Sequence, residues 1–296
     1  MSEATVDVFD PRRVKRLAGR HRVWSTFAGN KVALVALGVY GVFVFLAIFA
    51  PWLGAHPNDV DASAFLKGPS ADHLLGTDQL GRDVLSRLIA GCRVDLVAVL
   101  EALGIAAGIG IPVGLFSGYV GGWVDVAVAR VADAVLAFPS LILAIGIVGI
   151  LGPGLTQAMV AVGVVLTPRF FRVARSCALA AAREGFVEAA IADGCTTRRI
   201  LFRYVLPEAS GPVLVQTTYS IGYVIAAEAS LGFLGLGVRP PQASWGSMIA
   251  QGFAVVRQSS YLVIPPSLVV IVAVSAAFLL GDGLRDAIHS STSRRQ

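Results

Sequence analysis

Charged residues are scarce in this chain. Only 15% of its 296 residues are Asp, Glu, Lys or Arg, whereas 55% are hydrophobic. A soluble globular domain carries roughly 25% charged residues, so water is not the main solvent of this protein. Long uncharged runs make up a large part of the sequence instead, and they lie at 32–55, 102–124, 134–168, 209–227 and 258–281.

The chain also lacks the motifs of an enzyme that works alone. Its three lysines, Lys15, Lys31 and Lys67, do not follow the glycine pattern of a phosphate-binding loop, so energy from ATP would have to come from a partner. Gly-x-Ser-x-Gly and His-Glu-x-x-His are absent too. The four histidines are scattered and the three cysteines have no Cys-x-x-Cys spacing, so we expect no metal site. A membrane enzyme is the least favoured class.

Each uncharged run approaches or exceeds the length that crosses a bilayer, because about 20 residues at about 1.5 Å each match a hydrocarbon core of about 30 Å. The run 134–168 is too long for one crossing, and the turn-favouring residues at 151–154 divide it. Continuous apolar runs predict helices rather than the alternating strands of a β-barrel. The sequence therefore predicts an all-α membrane protein with six transmembrane helices. Their estimated bounds are 32–53, 95–117, 126–150, 156–175, 212–236 and 260–281.

Lysine and arginine predict the orientation, since cytoplasmic segments carry the excess of these residues. With both termini in the cytoplasm, 18 of the 24 basic residues lie inside and six lie outside. The net charge of +5 then reflects topology and attraction to anionic lipid, and we expect no nucleic acid partner. The predicted segments are a cytoplasmic N-terminal segment (1–31), a first transmembrane helix (32–53), an extracytoplasmic loop (54–94), a five-helix core (95–281) that includes a cytoplasmic loop (176–210), and a cytoplasmic tail (282–296).

One charged island interrupts the apolar runs, between the fourth and fifth predicted spans. Its segment 184–193 is rich in good helix formers, which predicts a short helix. Gly194 suits the left-handed conformation that stops a helix. The island is thus expected to begin with a short helix that ends at this glycine.

A second short helix is predicted to follow. Thr196 or Thr197 can cap its start, and it is expected to end near Leu206 because Pro207 disfavours helical geometry in the residue before it. Apolar residues spaced four apart give this helix a stripe that needs a protein or lipid surface. From composition alone, a helix pair that lies on anionic lipid explains the island equally well. The stripe consists of Ile200, Leu201, Tyr204 and Val205.

The residue pattern of the island adds a resemblance. It is similar to the signature loop of binding-protein-dependent ABC importer permeases, although Tyr204 stands where that family usually has an aliphatic residue. In the family this loop forms coupling helices that sit in a groove of the nucleotide-binding subunit. The residues that match the signature are Glu188, Ala189, Ala190, Gly194, Leu206 and Pro207.

The resemblance covers residues 30–285, approximately, and other stretches of the chain point to a more specific family. Stretches at 75–88, 121–125, 228–237 and 240–246 resemble the "C" permease of the dipeptide, oligopeptide and nickel transporters. An ABC type I importer permease fold is the fold that this resemblance implies.

The same resemblance implies the partners and the substrate. The partners would be a homologous second permease subunit, two ATPase subunits, an extracytoplasmic solute-binding protein and the lipid of a prokaryotic cytoplasmic membrane. This chain would bind no cofactor, because ATP and Mg would lie on the ATPases. Dipeptides or oligopeptides are the expected substrate, while nickel or another small solute stays open. A self-contained secondary transporter is a less favoured alternative, since we see no clear internal repeat.

Charges in or near the spans are costly and need partners or a wet cavity. Arg130 and Asp133 are expected to neutralise each other, being three residues apart on one helix. Glu228, within the fifth predicted span, either lines the translocation pathway or bonds to a neighbouring helix. Four outer residues are candidates for contacts with partners or for local loop architecture: Asp78, Arg82, Asp83 and Trp245.

Overall fold

The computed structural model describes residues 24–53 and 56–293, and in these ranges the chain is helical with no β-strand. The predicted cytoplasmic segment 1–31 and tail 282–296 lie partly outside the described residues. A helical stretch at 24–29 precedes the main helices. These are α1 (Lys31–Phe49), α2 (Val84–Val120), α3 (Gly122–Leu136), α4 (Ser140–Leu151), α5 (Leu155–Ala181), α6 (Gly185–Ala192), α7 (Thr197–Ile200), α8 (Leu206–Phe233), α9 (Trp245–Ala254) and α10 (Ile264–Ser293).

Several of these helices suit a membrane. Within the described part of the chain, four helices are long and apolar enough to cross, and the bent pair of α3 and α4 makes a fifth if it counts as one span. The prediction of an all-α membrane protein is confirmed. The helix α8 is also long enough to cross, but it lies outside this set because polar residues at 216–220 interrupt its apolar sequence. The count of six spans and the placement of both termini therefore stay predictions.

Two predicted spans differ in shape from the helices observed. The third estimate, 126–150, contains a bend of 91° between α3 and α4. Pro139 lies at this bend, where its missing N–H and fixed φ suit the start of a new helix. The second estimate, 95–117, lies within α2, which already begins at Val84 because the Asp83 side chain caps it by accepting a hydrogen bond from the Ser86 N–H at 2.8 Å.

The most extensive helix contact joins α2 to α5. Three glycines four residues apart, Gly110, Gly114 and Gly118, face the α5 backbone along this contact. A Cβ atom added to Gly114 would lie 2.5 Å from the carbonyl oxygen of Phe171. Small residues at such spacing allow helices in a membrane to approach closely, and this close approach sets the position of α5 and of the loop that follows it.

Replacing Gly114 with valine is expected to separate α2 from α5 and to destabilise the protein by about 1–3 kcal/mol, the usual cost of overpacking. Thermal unfolding of the detergent-solubilised protein measures this effect. Gly108→Val is the matched control on the same helix, since a Cβ atom at Gly108 meets nothing within 4 Å. Equal unfolding temperatures for the two variants would contradict the proposed packing.

Candidate functional site

One face of α6 holds this short helix against the bundle. Val187 is fully buried and Ala190 is nearly so. They belong to an apolar cluster that includes Leu115 of α2 and Ala178 of α5. The helix is therefore held by an apolar cluster to which α2 and α5 also contribute.

The other face of α6 is open. Glu188 and Ala189 are exposed, and Phe186 and Ile191 expose 38% and 55% of their surface. This face combines a carboxylate, a small residue and two apolar side chains. Exposed apolar side chains of this kind are typical of a surface that contacts another protein. The family signature residues Glu188 and Ala189 thus lie on the accessible side of the helix.

Gly194 ends α6 in the predicted manner. Its φ of +73° lies in the left-handed region, which costs a residue with a Cβ atom roughly 1–2 kcal/mol. The Cys195 N–H donates to the carbonyl of Ala190 at 3.0 Å, and the Gly194 N–H donates to that of Ile191 at 2.9 Å. These two bonds form a Schellman motif, which fixes the direction in which the chain leaves the helix.

The second loop helix starts as predicted but does not end as predicted. Thr196 caps α7 by accepting a hydrogen bond from the Arg199 N–H at 3.4 Å. A π-helical turn, Leu201–Val205, then follows, and α8 continues through Pro207. The predicted end near Leu206 is therefore wrong. A π turn is wider than an α turn and bonds residues five apart, so it accommodates the proline ring and its missing N–H.

The apolar stripe of this second helix packs inside the protein. Ile200, Leu201 and Val205 are buried in the same cluster that anchors α6. Tyr204 is half-buried beside this cluster, and its ring stacks 6.4 Å from that of Phe186. The stripe is thus covered by the bundle itself, and the accessible apolar side chains of the loop are Phe186 and Ile191 of α6 and Phe202 of the π turn.

Two ion pairs brace the helix that leads into this loop. Arg175 of α5 binds both carboxylate oxygens of Asp125 in α3 at 2.6 Å. Arg172 binds Asp133 at 2.6 Å. The expected pairing of Asp133 with Arg130 is therefore replaced by a pairing between helices, because the packing of α3 on α5 brings the arginines of α5 to the aspartates.

Comparison with known families shows what kind of protein the chain is. Residues 110–294, more than half of its length, match the family described as "Binding-protein-dependent transport system inner membrane component". The chain belongs to this family of permeases. Residues 20–69 match the N-terminal TM domain of oligopeptide transport permease C, so the resemblance to a C-type permease is confirmed.

Curated relatives resemble the permease over most of its length. The dipeptide transport system permease protein of Alkalihalophilus pseudofirmus is 40% identical over 88% of this chain and 86% of the relative. The probable D,D-dipeptide transport system permease protein of Escherichia coli is 35% identical over 100% and 99%. A glutathione transport system permease protein of Escherichia coli is 37% identical over 90% and 89%.

A solved structure supports the fold. An inward-facing form of the MetNI methionine ABC transporter matches with a TM-score of 0.56 and 21% identity, over 69% of this chain and 96% of that chain. At this identity the likeness shows the fold alone. The permease therefore has the fold of an ABC importer permease, in agreement with the fold implied by the sequence.

Two of the four outer candidate residues of the permease form an internal network. The Asp78 carboxylate accepts a hydrogen bond from the Arg82 Nε at 2.8 Å and lies 3.5 Å from the Arg87 Nε. All three side chains are at most 11% exposed. The Arg82 guanidinium also reaches the amide oxygen of Gln251 at 3.2 Å. These residues hold the loop before α2 to the helices and offer little surface to a partner.

The other two candidates also have local roles. Asp83 caps α2 and lies 3.1 Å from the ring of His73. Trp245 is only 2% exposed, and its indole N–H donates to the carbonyl of Leu88 at 3.1 Å. The structure therefore places Trp245 in the interior instead of at an outer surface, because the first turn of α9 packs against α2.

Glu228 lies between helices. Its carboxyl group on α8 faces that of Asp95 on α2, and the two residues are 1% and 2% exposed. Ser244 and the backbone of Trp245 are their other polar neighbours. None of the four carboxylate oxygens has a hydrogen-bond partner among the described residues, and two neighbouring carboxylates repel each other when both are charged. Glu228 is thus buried between helices in this chain, and no pattern in the sequence singled out Asp95.

No metal site is evident in the part of the permease that the structure describes, since no group of three or more His, Cys, Asp or Glu residues converges there. Its three cysteines, Cys92, Cys177 and Cys195, are free. The open face of α6 therefore remains the best candidate for a functional surface.

Proposed function

We propose that the permease forms half of the translocation pathway of an ATP-driven peptide importer and that α6 couples it to partner ATPases. The observation that carries this proposal is the two-sided character of α6. Val187 and Ala190 fix the helix to the bundle, while Glu188 and Ala189 face outward. A helix that is anchored on one side and open on the other transmits a partner's movement to the bundle.

The coupling route follows from the packing. The anchor of α6 shares one apolar cluster with α2, α5 and the start of α8, and interiors this closely packed transmit displacement instead of absorbing it. A movement of α6 would therefore shift the long helices together. ATP and Mg would be bound by two ATPase subunits, and the remaining partners would be a homologous second permease and an extracytoplasmic solute-binding protein.

Peptides are the proposed substrate class. The relatives named above are described as permeases for dipeptides, D,D-dipeptides and glutathione, which are all small peptides. Nickel or another small solute is the alternative, because a separate binding protein supplies most of the selectivity in such a system. Calorimetry of the cognate binding protein with dipeptides and with nickel chelates distinguishes the two substrate classes.

Replacing Glu188 with lysine tests the coupling surface. We expect ATPase association to weaken by about tenfold or more, because the change removes the carboxylate from the proposed contact face and puts the opposite charge in its place. Co-purification of the ATPases with the tagged permease measures the change. The control is Asp72→Lys, the same charge change at an exposed residue of the outer loop.

Normal ATPase association and normal uptake with Glu188→Lys would contradict the role of α6. Gradient-driven uptake by the permease reconstituted without any partner would contradict the ATP-driven importer as a whole. The two outcomes are separate, since the first concerns only this surface.

A further inference from the structure

Three arginines lie along α5 at intervals of three residues. Arg172 and Arg175 pair with the aspartates of α3 at 2.6 Å. Arg169 pairs with no acidic side chain among the described residues, and its guanidinium lies instead over the ring of Tyr223, 4.6 Å from the centroid. It is thus the one cation of the three whose charge is not neutralised within the described chain.

Arg169 lies at a position where an unpaired charge is energetically unfavourable. It lies near the middle of α5, a helix of 27 residues that qualifies as a membrane span, and inside the predicted span 156–175. The side chain is exposed on the bundle surface. A charged group within a span costs at least about 2.5 kcal/mol in lipid, so it faces a partner or a water-filled cavity.

The composition of the two helices that meet at Arg169 favours a water-filled cavity over lipid. Arg169 lies where α5 meets α8, and these are the two least apolar of the long helices: α5 has the lowest hydropathy of the four single spans, and α8 falls below their range. The helix that carries Tyr223 also has the half-buried polar residues Gln216 and Thr217, whose side chains bond within α8 to Ser220 and to the carbonyl of Val213. Such a concentration of polar groups is typical of a helix pair that lines a solute pathway.

We propose that Arg169, positioned by Tyr223, binds the C-terminal carboxylate of a peptide as it passes through the permease. This inference rests on the proposed peptide import. A guanidinium held over an aromatic ring keeps its N–H donors available, and their planar fork matches the two oxygens of a carboxylate. The ring also shields the cation while no substrate is present.

The test combines a change in the substrate with a change in the permease. It uses the complete transporter, reconstituted in vesicles with its ATPases and binding protein. Uptake of a dipeptide and of its C-terminal amide is measured for the unaltered protein and for Arg169→Gln, with each substrate saturating the binding protein. We expect fast uptake only for the dipeptide with the unaltered protein. Removing the carboxylate, the guanidinium or both should lower the maximal rate by a similar factor, about tenfold or more.

Three further variants separate binding from structure. Arg172→Gln removes an exposed arginine from the next turn and should not distinguish the two substrates. Tyr223→Phe retains the ring and should retain the preference for the dipeptide, whereas Tyr223→Ala should lose most of it. ATPase stimulation by the loaded binding protein should persist in Arg169→Gln, which a merely structural role would not preserve.

Several results would overturn the inference. Equal rates for the two substrates in the unaltered protein would do so, as would a loss in Arg169→Gln that is the same for both substrates, since the arginine then meets the second permease or lipid. If the unaltered transporter takes up neither substrate, the proposed peptide function fails together with the inference. If the dipeptide enters equally fast in Arg169→Gln, the inference alone fails.

Discussion

Uptake by a Gly194→Pro permease is expected to fall to background, because proline excludes the conformation that directs the chain from α6 to α7. The ring fixes φ near −65°, whereas Gly194 has a φ of +73°. Proline also removes the N–H that donates to Ile191 at 2.9 Å. The Schellman motif is lost, and the exposed face of α6 then points in another direction.

A vesicle uptake assay with the complete transporter measures this loss, together with co-purification of the ATPases. Gly185→Pro is the matched control, since it places the same residue at the first position of α6, where proline is favoured. Glu184 before it already has the extended φ and ψ that precede a proline. We expect near-normal uptake in the control. Normal uptake in both variants would show that the orientation of α6 is unimportant.

The second large effect is expected at the opposite end of the bundle. Replacing Asp78 with alanine leaves the guanidinium groups of Arg82 and Arg87 without their carboxylate, and the Arg87 side chain is only 2% exposed. Removing one partner of a buried ion pair typically costs about 3–5 kcal/mol, because the remaining charge stays buried. The variant should unfold at a markedly lower temperature.

Thermal unfolding in detergent measures the effect of Asp78→Ala. The control is Asp72→Ala, which removes an exposed carboxylate from the same loop and should change stability by less than about 0.5 kcal/mol. Asp78→Asn keeps an acceptor and removes the charge, so its stability should lie between the two. If Asp78→Ala unfolds at the temperature of the control, the buried pair contributes nothing to the fold.

The local features of the α6 loop were predictable because each depends on a few neighbouring residues. Gly194 has the positive φ that its position after a run of helix formers predicts, and Thr196 caps the next helix. The prediction at Pro207 was wrong because Leu206 keeps α-helical φ and ψ, −58° and −42°, although proline disfavours them in the residue before it. A π turn before Leu206 accommodates the ring, and its stability depends on burying Leu201 and Val205 in the bundle.

Pairings between distant residues were not predictable from the sequence. Asp133 was expected to pair with Arg130 three residues away, but packing of α3 on α5 brings Arg172 closer. Trp245 was expected to suit an outer interface, but the turn that starts α9 inserts the indole between helices, where it is 2% exposed. In each case several partners or environments were open to the side chain, and the packing of the helices determines which of them it meets.

The sequence by itself determined that this is an all-α membrane protein, because scarce charge and long apolar runs leave few other ways to satisfy the backbone in lipid. It also determined that the segment from Glu188 to Gly194 is a short helix that ends at the glycine, since the end of a helix depends on neighbouring residues alone. Only the tertiary structure decided which face of α6 is open, that Asp95 meets Glu228, and that Arg169 lies over Tyr223. These features depend on how α2, α5 and α8 approach one another, and residues far apart in the chain meet only once that packing is made.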